Sequence, residues 1–194
     1  MSHSKQIYAL CDFELLQKYN FTLEKYLNKL KNYNIAFIQY RDKINSLELQ
    51  TQNIKFLKEH CDIPIIINDN VELLKVADGL HLGQEDLESL SLKYKLPKNN
   101  LIKFLKKTNP NKILGLSTHN EKEILEANTF ELDYIGLGAY RNTNTKDVSS
   151  IVGENASYLA KISKCPVGLI GGVKITDDVD NIAYNVIGSA LFEA

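Results

Sequence analysis

Residues 63–67 read Ile-Pro-Ile-Ile-Ile and residues 133–137 read Asp-Tyr-Ile-Gly-Leu. Both are short and almost continuously apolar, without the alternation of a strand that has one face in water. Such runs suit strands covered on both faces, as in a parallel sheet. Six further runs share this brevity: IYALC (7–11), IAFIQY (35–40), DGLHL (78–82), KILGLS (112–117), PVGLIGG (166–172) and NVIGS (185–189). Between them lie helical patterns. FTLEKYLNKLKNY places Phe21, Leu23, Tyr26, Leu27 and Leu30 on one face, and SLELQTQNIKFLKEH does the same with Leu47, Leu49, Ile54, Phe56 and Leu57. Strand and helix in alternation predict an α/β fold with eight βα units. In 194 residues that is a compact (β/α)8 TIM barrel, a single domain over 1–194, slightly below the usual lower size of ~200 residues. A flavodoxin-like open sheet, which needs only about five strands, is the alternative.

One connection is elaborated. Segment 87–110, between the fourth and fifth strands, is longer than one helix needs, and Pro97-Lys98-Asn99-Asn100 breaks it into two pieces. Its lysines, 93, 95, 98, 103, 106 and 107, are scattered among apolar helix positions and read as a solvated outer face. Over the whole chain 23 Lys and Arg balance 24 Asp and Glu, so no field recommends nucleic acid or an anionic membrane as partner. Cys11, Cys61 and Cys165 are widely spaced without metal-ligand patterns and read as reduced structural thiols. The opening MSHSKQIYAL lacks the ~7–15-residue apolar core of a secretory signal, and no ~18-residue apolar run follows, so a cytoplasmic location is expected.

Polar residues gather at the C-terminal ends of the strand candidates. Gln39-Tyr40-Arg41-Asp42-Lys43 follows the second, Asn68-Asp69-Asn70 the third and Gly83-Gln84-Glu85-Asp86 the fourth. Ser117-Thr118-His119, the loop 138–146, Gly171-Gly172 and Gly188-Ser189 follow the remainder. In a parallel barrel these all surround the mouth where active sites are built. Strand starts carry no comparable collection. Arg41 and Lys43 alternate along an extended segment, so both can face the mouth and bind an anion; alone, Arg-x-Lys is also an ordinary strand exit.

Asp69 and Asp86 close consecutive strands, whose backbones run ~5 Å apart in a barrel. Two converging carboxylates repel unless a cation lies between them, and all-oxygen ligation without a full protein cage suits Mg²⁺. Helix capping is the plainer reading of each. Gly171-Gly172 and Gly188-Ser189 follow the last two strands, where backbone N–H groups commonly receive a phosphate monoester. Thr143-Asn144-Thr145-Lys146 offers hydroxyls and a cation for a second anion, on a loop long enough to close over it. Two anion sites and a metal imply two small-molecule substrates, one carrying pyrophosphate.

Taken in order, QYRDK, IINDNVELL, ADGLHLGQEDL, ILGLSTHNEKEI, DYIGLG with TNTK, and PVGLIGGV resemble the thiamine phosphate synthase and TenI superfamily over nearly the whole chain. The resemblance implies a barrel that joins a hydroxymethylpyrimidine pyrophosphate to a hydroxyethylthiazole phosphate and releases pyrophosphate with Mg²⁺ assistance. It further implies Asp69 and Asp86 as metal ligands, and Arg41, Lys43, Asn68 and Lys146 on the departing pyrophosphate. Gln39 would meet the pyrimidine and Ser117 would lie beside the reacting centre. Thr143 and Thr145 would line the junction of the substrates; Gly172, Gly188 and Ser189 would cradle the thiazole phosphate. Gln84 and Glu85 would support their turn. His81 and His119 read equally as structural histidines.

Three features differ from the usual family pattern. Ala139-Tyr140-Arg141-Asn142 replaces a proline-containing loop, Asn70 stands where a charged residue is common, and the chain stops at Gly188-Ser189-Ala190-Leu191-Phe192-Glu193-Ala194 without a final helix. Barrel surface there is expected to be covered by a partner subunit in a homo-oligomer or by segment 87–110. Two alternatives share the resemblance: a TenI-type thiazole tautomerase, in which His119 would be the residue to watch as proton carrier, and a non-catalytic paralogue that binds a phosphorylated thiazole or pyrimidine.

Overall fold

The computed structural model describes residues 5–142 and 151–192. Eight parallel strands close into a barrel in sequence order: β1 (Gln6–Asp12), β2 (Ile35–Arg41), β3 (Ile65–Asn68), β4 (Gly79–Leu82), β5 (Ile113–Thr118), β6 (Tyr134–Leu137), β7 (Val167–Leu169) and β8 (Tyr184–Ile187). Closure is made by β1 and β8, with Tyr8 opposite Val186. That pairing removes both sheet edges and with them the open-sheet alternative.

The helices are α1 (Phe13–Lys18), α2 (Leu23–Leu30), α3 (Leu47–His60), α4 (Gln84–Tyr94), α5 (Lys98–Thr108), α6 (Glu121–Ala127) and α7 (Ala156–Ile162). Thr22, Ser46 and Asn120 cap α2, α3 and α6 by accepting hydrogen bonds from Lys25, Leu49 and Glu123 N–H groups. In α2, Tyr26, Leu27 and Leu30 are buried as the periodicity predicts. In α3 only Ile54 and Leu57 are fully buried; Leu47, the first residue of the helix, and Leu49, about 140° around the helix from Ile54, are both exposed rather than on the buried face. Segment 87–110 breaks at Pro97 into α4 and α5, where Lys95 ends α4 in the left-handed region. Among the described residues no helix is long and apolar enough to cross a membrane. Cys11 is buried, Cys61 and Cys165 are half-buried, and all three are free thiols.

Two separate cores result. Outward-facing strand residues such as Ile38, Ile65, Ile67, Leu80 and Leu116 pack under the helices. Inside the barrel, Tyr8, Ile66, Tyr134 and Val186 form a second cluster with Phe37, Ile113, Ile170 and Tyr184 at its margins. The phenol rings of Tyr8 and Tyr134 meet edge to face at 5.5 Å. Their room comes from glycine: a Cβ at Gly115 would lie 2.1 Å from Tyr134 Cζ. The barrel's middle is therefore a plug, and any site must sit above it.

Of the two covers expected for the surface beyond β8, segment 87–110 is not the one used. Ser189–Leu191 forms a short 3-10 helix, and the following Phe192 stacks on Tyr19 and Tyr26 and meets Phe21 edge-on, at centroid distances of 5.2–5.9 Å. Segment 87–110 packs elsewhere, α4 against α5 and β5. The residues around α1 and α2 thus supply the cover assigned above to that segment, because β1 is β8's neighbour in the closed ring. Phe192→Ala opens this aromatic cluster and is expected to lower stability by about 3 kcal/mol, read as a fall in urea midpoint at unchanged slope.

Candidate active site

Asp69 and Asp86 converge at the mouth. Asp69, just past β3, adopts φ 62°, and its N–H donates to His81 O at 2.8 Å. That left-handed backbone aims its carboxylate at the start of α4, where Gly83 N–H donates to Oδ1 at 3.1 Å. Gly83 is the N-cap of α4 and contributes no side chain. A Cβ there would lie 2.7 Å from Asp86 Oδ2 but at an ordinary 3.9 Å from Asp69 Oδ1, so its absence leaves room for the Asp86 carboxylate beside that of Asp69. Burial, and then the facing Asp86 charge, push the Asp69 carboxyl above the usual carboxylate range, while Lys43 opposes the shift. Capping, the plainer reading of Asp69, falls to Asn70, whose side chain accepts from Glu72 N–H. Asp86 is likewise no cap; it stands in the first turn of α4.

Arg41 closes β2 and pairs with Asp12, which closes the adjacent β1 and is 2 % exposed. The same carboxylate accepts from Leu15 N–H at 3.1 Å and so caps α1. Asn68 donates to Asp69 from the end of β3. Lys43 is exposed above them. Between the two cations, Asp42 turns away, accepting from Tyr40 Oη at 2.6 Å and from Asn45. β2 ends at Arg41 and Lys43 lies in the turn that follows, so strand alternation does not extend to it; its proximity to the mouth is seen in its effect on Asp69.

Across the mouth, Gly171 and Gly172 follow β7 with φ of 88° and 66°. A Cβ on Gly171 would lie 2.6 Å from that of Ala139, so the turn demands glycine. Arg141 holds this turn from the loop after β6. It donates to Gly172 O at 2.9 Å, makes two hydrogen bonds to Asp177, and lies over the Tyr140 ring at 4.2 Å. Gly188 and Ser189 sit next door, after β8, which pairs with β7. Loop residues Tyr140 and Arg141 thus clamp the glycine turn. Thr143, Thr145 and Lys146 lie outside the described residues.

Below the mouth a hydrogen-bonded chain crosses the barrel. Gln39 Nε2 donates to Tyr8 Oη at 2.7 Å, Tyr8 and Tyr134 hydroxyls are 2.7 Å apart, and Tyr134 Oη is 2.9 Å from His81 Nδ1. His81 Nε2 then lies 2.9 Å from Ser117 Oγ. Ser117 is fixed from its other side, where its carbonyl accepts from Gln84 Nε2 at 2.6 Å. Gly136 leaves space for the imidazole, since a Cβ there would sit 3.2 Å from Cε1. Burial pushes the His81 pKa down to about 4, so the ring is neutral at pH 7. His119 stands apart, its Nδ1 2.9 Å from Glu123 Oε2.

The sequence model of the family described as thiamine monophosphate synthase matches residues 7–194. The chain belongs to the thiamine monophosphate synthase family. It is 31 % identical over 182 residues to a thiamine-phosphate synthase of Vibrio campbellii, covering 89 % of this chain and 82 % of that one. To the same-named protein of Persephonella marina it is 34 % identical over 166 residues, covering 80 % and 74 %. In fold it resembles the thiamine phosphate pyrophosphorylase structure from Pyrococcus furiosus, with a TM-score of 0.70 at 23 % identity over 98 % of this chain and 89 % of that chain.

Within this thiamine monophosphate synthase barrel, the donor set at Asp69 and Asp86 fits a hard divalent cation. Two carboxylates forced together against burial are what such an ion neutralises, and Mg²⁺ needs only one or two protein carboxylates beside water and phosphate oxygens. Among the described residues no group of three or more His, Cys, Asp or Glu side chains competes for the role. Sequence reasoning missed Asp12, Tyr8, Tyr134 and Arg141. Asp12 resembles an ordinary cap, and both tyrosines sit in apolar strand runs; only the polar tip of each, at an inward position, hinted at more.

Removing Asp12 tests its double role. Asp12→Ala leaves Arg41 unpaired and α1 uncapped, and is expected to cost about 3 kcal/mol. Asp12→Asn keeps the cap and should cost less, both read from chemical unfolding. His81 makes stability depend on pH. Unfolded, its imidazole titrates near 6.5, so between about 4 and that value the unfolded chain holds a proton that the folded chain does not. Stability from this residue is therefore complete above the unfolded value and lost as pH falls through that window, about 3 kcal/mol in full. His81→Gln is expected to flatten the slope of unfolding free energy against pH by about one proton there.

Proposed function

We propose that the protein is a thiamine-phosphate synthase, joining a hydroxymethylpyrimidine pyrophosphate to a hydroxyethylthiazole phosphate with release of pyrophosphate. The observation that carries this reading is the pair of half-buried carboxylates, Asp69 and Asp86, held at Gly83 beside Lys43 on the rim that also bears Arg41. A leaving group with several negative charges needs such a cluster, and a simple proton-transfer site does not.

On this reading Asp69 and Asp86 hold Mg²⁺, which when bound neutralises charge on the departing pyrophosphate. Arg41, kept in place by Asp12, donates to the same leaving group, and Asn68, Lys43 and Lys146 complete its binding site. Gln39 and Ser117 flank the pyrimidine carbon from which the pyrophosphate oxygen separates. The bond breaks with its electron pair leaving on pyrophosphate, and the cationic pyrimidinylmethyl carbon is captured by the thiazole nitrogen. No covalent enzyme nucleophile takes part. Gly172, Gly188 and Ser189 hold the thiazole phosphate so that its nitrogen faces this carbon, with Thr143 and Thr145 at the junction. Arg141 supports that alignment by fixing the glycine turn. The whole chain, 1–194, serves as one domain acting on small molecules in the cytoplasm. Tautomerase chemistry would place proton transfer on His119, whose Nδ1 is held by Glu123, but it has no use for the Asp69 and Asp86 pair.

Purified protein is expected to form thiamine phosphate from the two substrates only with Mg²⁺, and Asp69→Ala to reduce the rate at least about 100-fold. Chromatographic detection of product decides it. A folded protein that binds the thiazole phosphate and makes no product with Mg²⁺ would overturn the reading.

A further inference from the structure

The chain of hydrogen bonds across the barrel can run in either of two directions, and the placement of the Gln39 amide selects one of them. At one end Gln39 presents its amide nitrogen to Tyr8 Oη at 2.7 Å, and that nitrogen can only donate. The Tyr8 hydroxyl is wholly buried, so its own hydrogen must find an acceptor, and Tyr134 Oη lies at 2.7 Å. Tyr134 then directs its hydrogen to His81 Nδ1 at 2.9 Å. Were the two phenols reversed with Gln39 as placed, Tyr8 would receive two hydrogens and leave its own buried without an acceptor.

With Nδ1 accepting, the neutral imidazole carries its proton on Nε2, and Nε2–H donates to Ser117 Oγ at 2.9 Å. Ser117 Oγ accepts there with one of its two lone pairs, so its own hydrogen is directed away from His81 and is free for a partner on the other side. The other end asks for the same polarity, because an anionic leaving group above Ser117 needs a donor and is repelled by lone pairs. This part rests on the function proposed above. The opposite direction would reverse every member and turn Ser117 inward as a donor to His81.

We propose that Tyr134 and His81 are positioning residues that set the polarity of the site: Tyr134 fixes His81 in its Nε2–H tautomer, and His81 thereby makes Ser117 a hydrogen-bond donor toward substrate. Neither touches the reacting atoms in this account. The geometry is specific to the barrel interior, since Gly115 and Gly136 supply the space in which Tyr134 and His81 stand.

The test is nitrogen NMR of protein labelled with ¹⁵N-histidine, with His81 assigned by substituting His3, His60 and His119 singly. In the wild type at pH 7, Nε2 is expected to be pyrrole-like and Nδ1 pyridine-like. Tyr134→Phe removes the donor to Nδ1 and is expected to mix the tautomers and to lower kcat about ten-fold, with KM for the pyrimidine pyrophosphate little changed. Tyr8→Phe deletes an equally buried hydroxyl but leaves Tyr134 its hydrogen, so the Nε2–H tautomer is expected to persist. A packing role alone would not separate these two variants. Nδ1–H or a charged imidazolium in the wild type overturns the proposal even if neither variant folds, as does a Tyr134→Phe protein with unchanged tautomer and kcat. Mg²⁺-dependent product with His81 in the Nδ1–H form would sink the polarity and spare the synthase reading. No product with His81 in the Nε2–H form would do the reverse.

Discussion

Filling the inside of the barrel is the constraint on which the rest of the molecule depends. Eight strands enclose a space that side chains must occupy at close-packed density. Here two phenols do much of it, Tyr8 from β1 and Tyr134 from β6, edge to face at 5.5 Å. Gly115 on β5 has to be glycine because Tyr134 lies where its side chain would be. Burying two hydroxyls with the rings creates an obligation as well, since an unpaired one costs about 1–3 kcal/mol. The chain from Gln39 to Ser117 discharges it. Packing and polarity in this barrel are thus one problem with one solution, and the floor of the site is rigid because both must be satisfied together.

Above that floor, charges are handled in two contrasting ways. Arg41 is neutralised inside the protein by Asp12, whose burial would be unfavourable without the guanidinium. Asp69 and Asp86 are not so neutralised; the backbone at Asp69 and the bare Gly83 bring two like charges together in a partly buried place. The first arrangement fixes geometry. The second leaves a demand for positive charge, which a ligand or ion can meet. A folded site that tolerates such repulsion, with Lys43 only partly offsetting it, gives up some stability for binding.

Much of this was legible in the sequence. Eight short apolar runs separated by amphipathic stretches were enough for a parallel α/β barrel, and aligning their C-terminal ends collected Arg41, Asp69, Asp86, Ser117 and the glycine turns on one rim. Segment 87–110 was wrongly offered as a cover over the last strand, because Phe192 reaches Tyr19 and Tyr26 only once β1 and β8 are neighbours. Capping was the plainer reading of Asp69 in Asn68-Asp69-Asn70, but in the structure Asp69 takes a left-handed backbone and Asn70 is the cap. Tyr8 and Tyr134 looked like core residues, which they are; a pattern of apolar positions has no means of showing where a hydroxyl finds its partner.

By itself, then, the sequence determined the kind of sheet, the order of its strands and the end at which chemistry collects, since each follows from local periodicity and from the common direction of parallel strands. Tertiary structure alone decided which side chains meet. Tyr8 and Tyr134 are 126 residues apart, Asp12 and Arg41 are 29 apart, and no local preference joins them. Closure of the ring does so, because it turns alternate side chains of every strand into one enclosed volume where each polar atom must be matched by another.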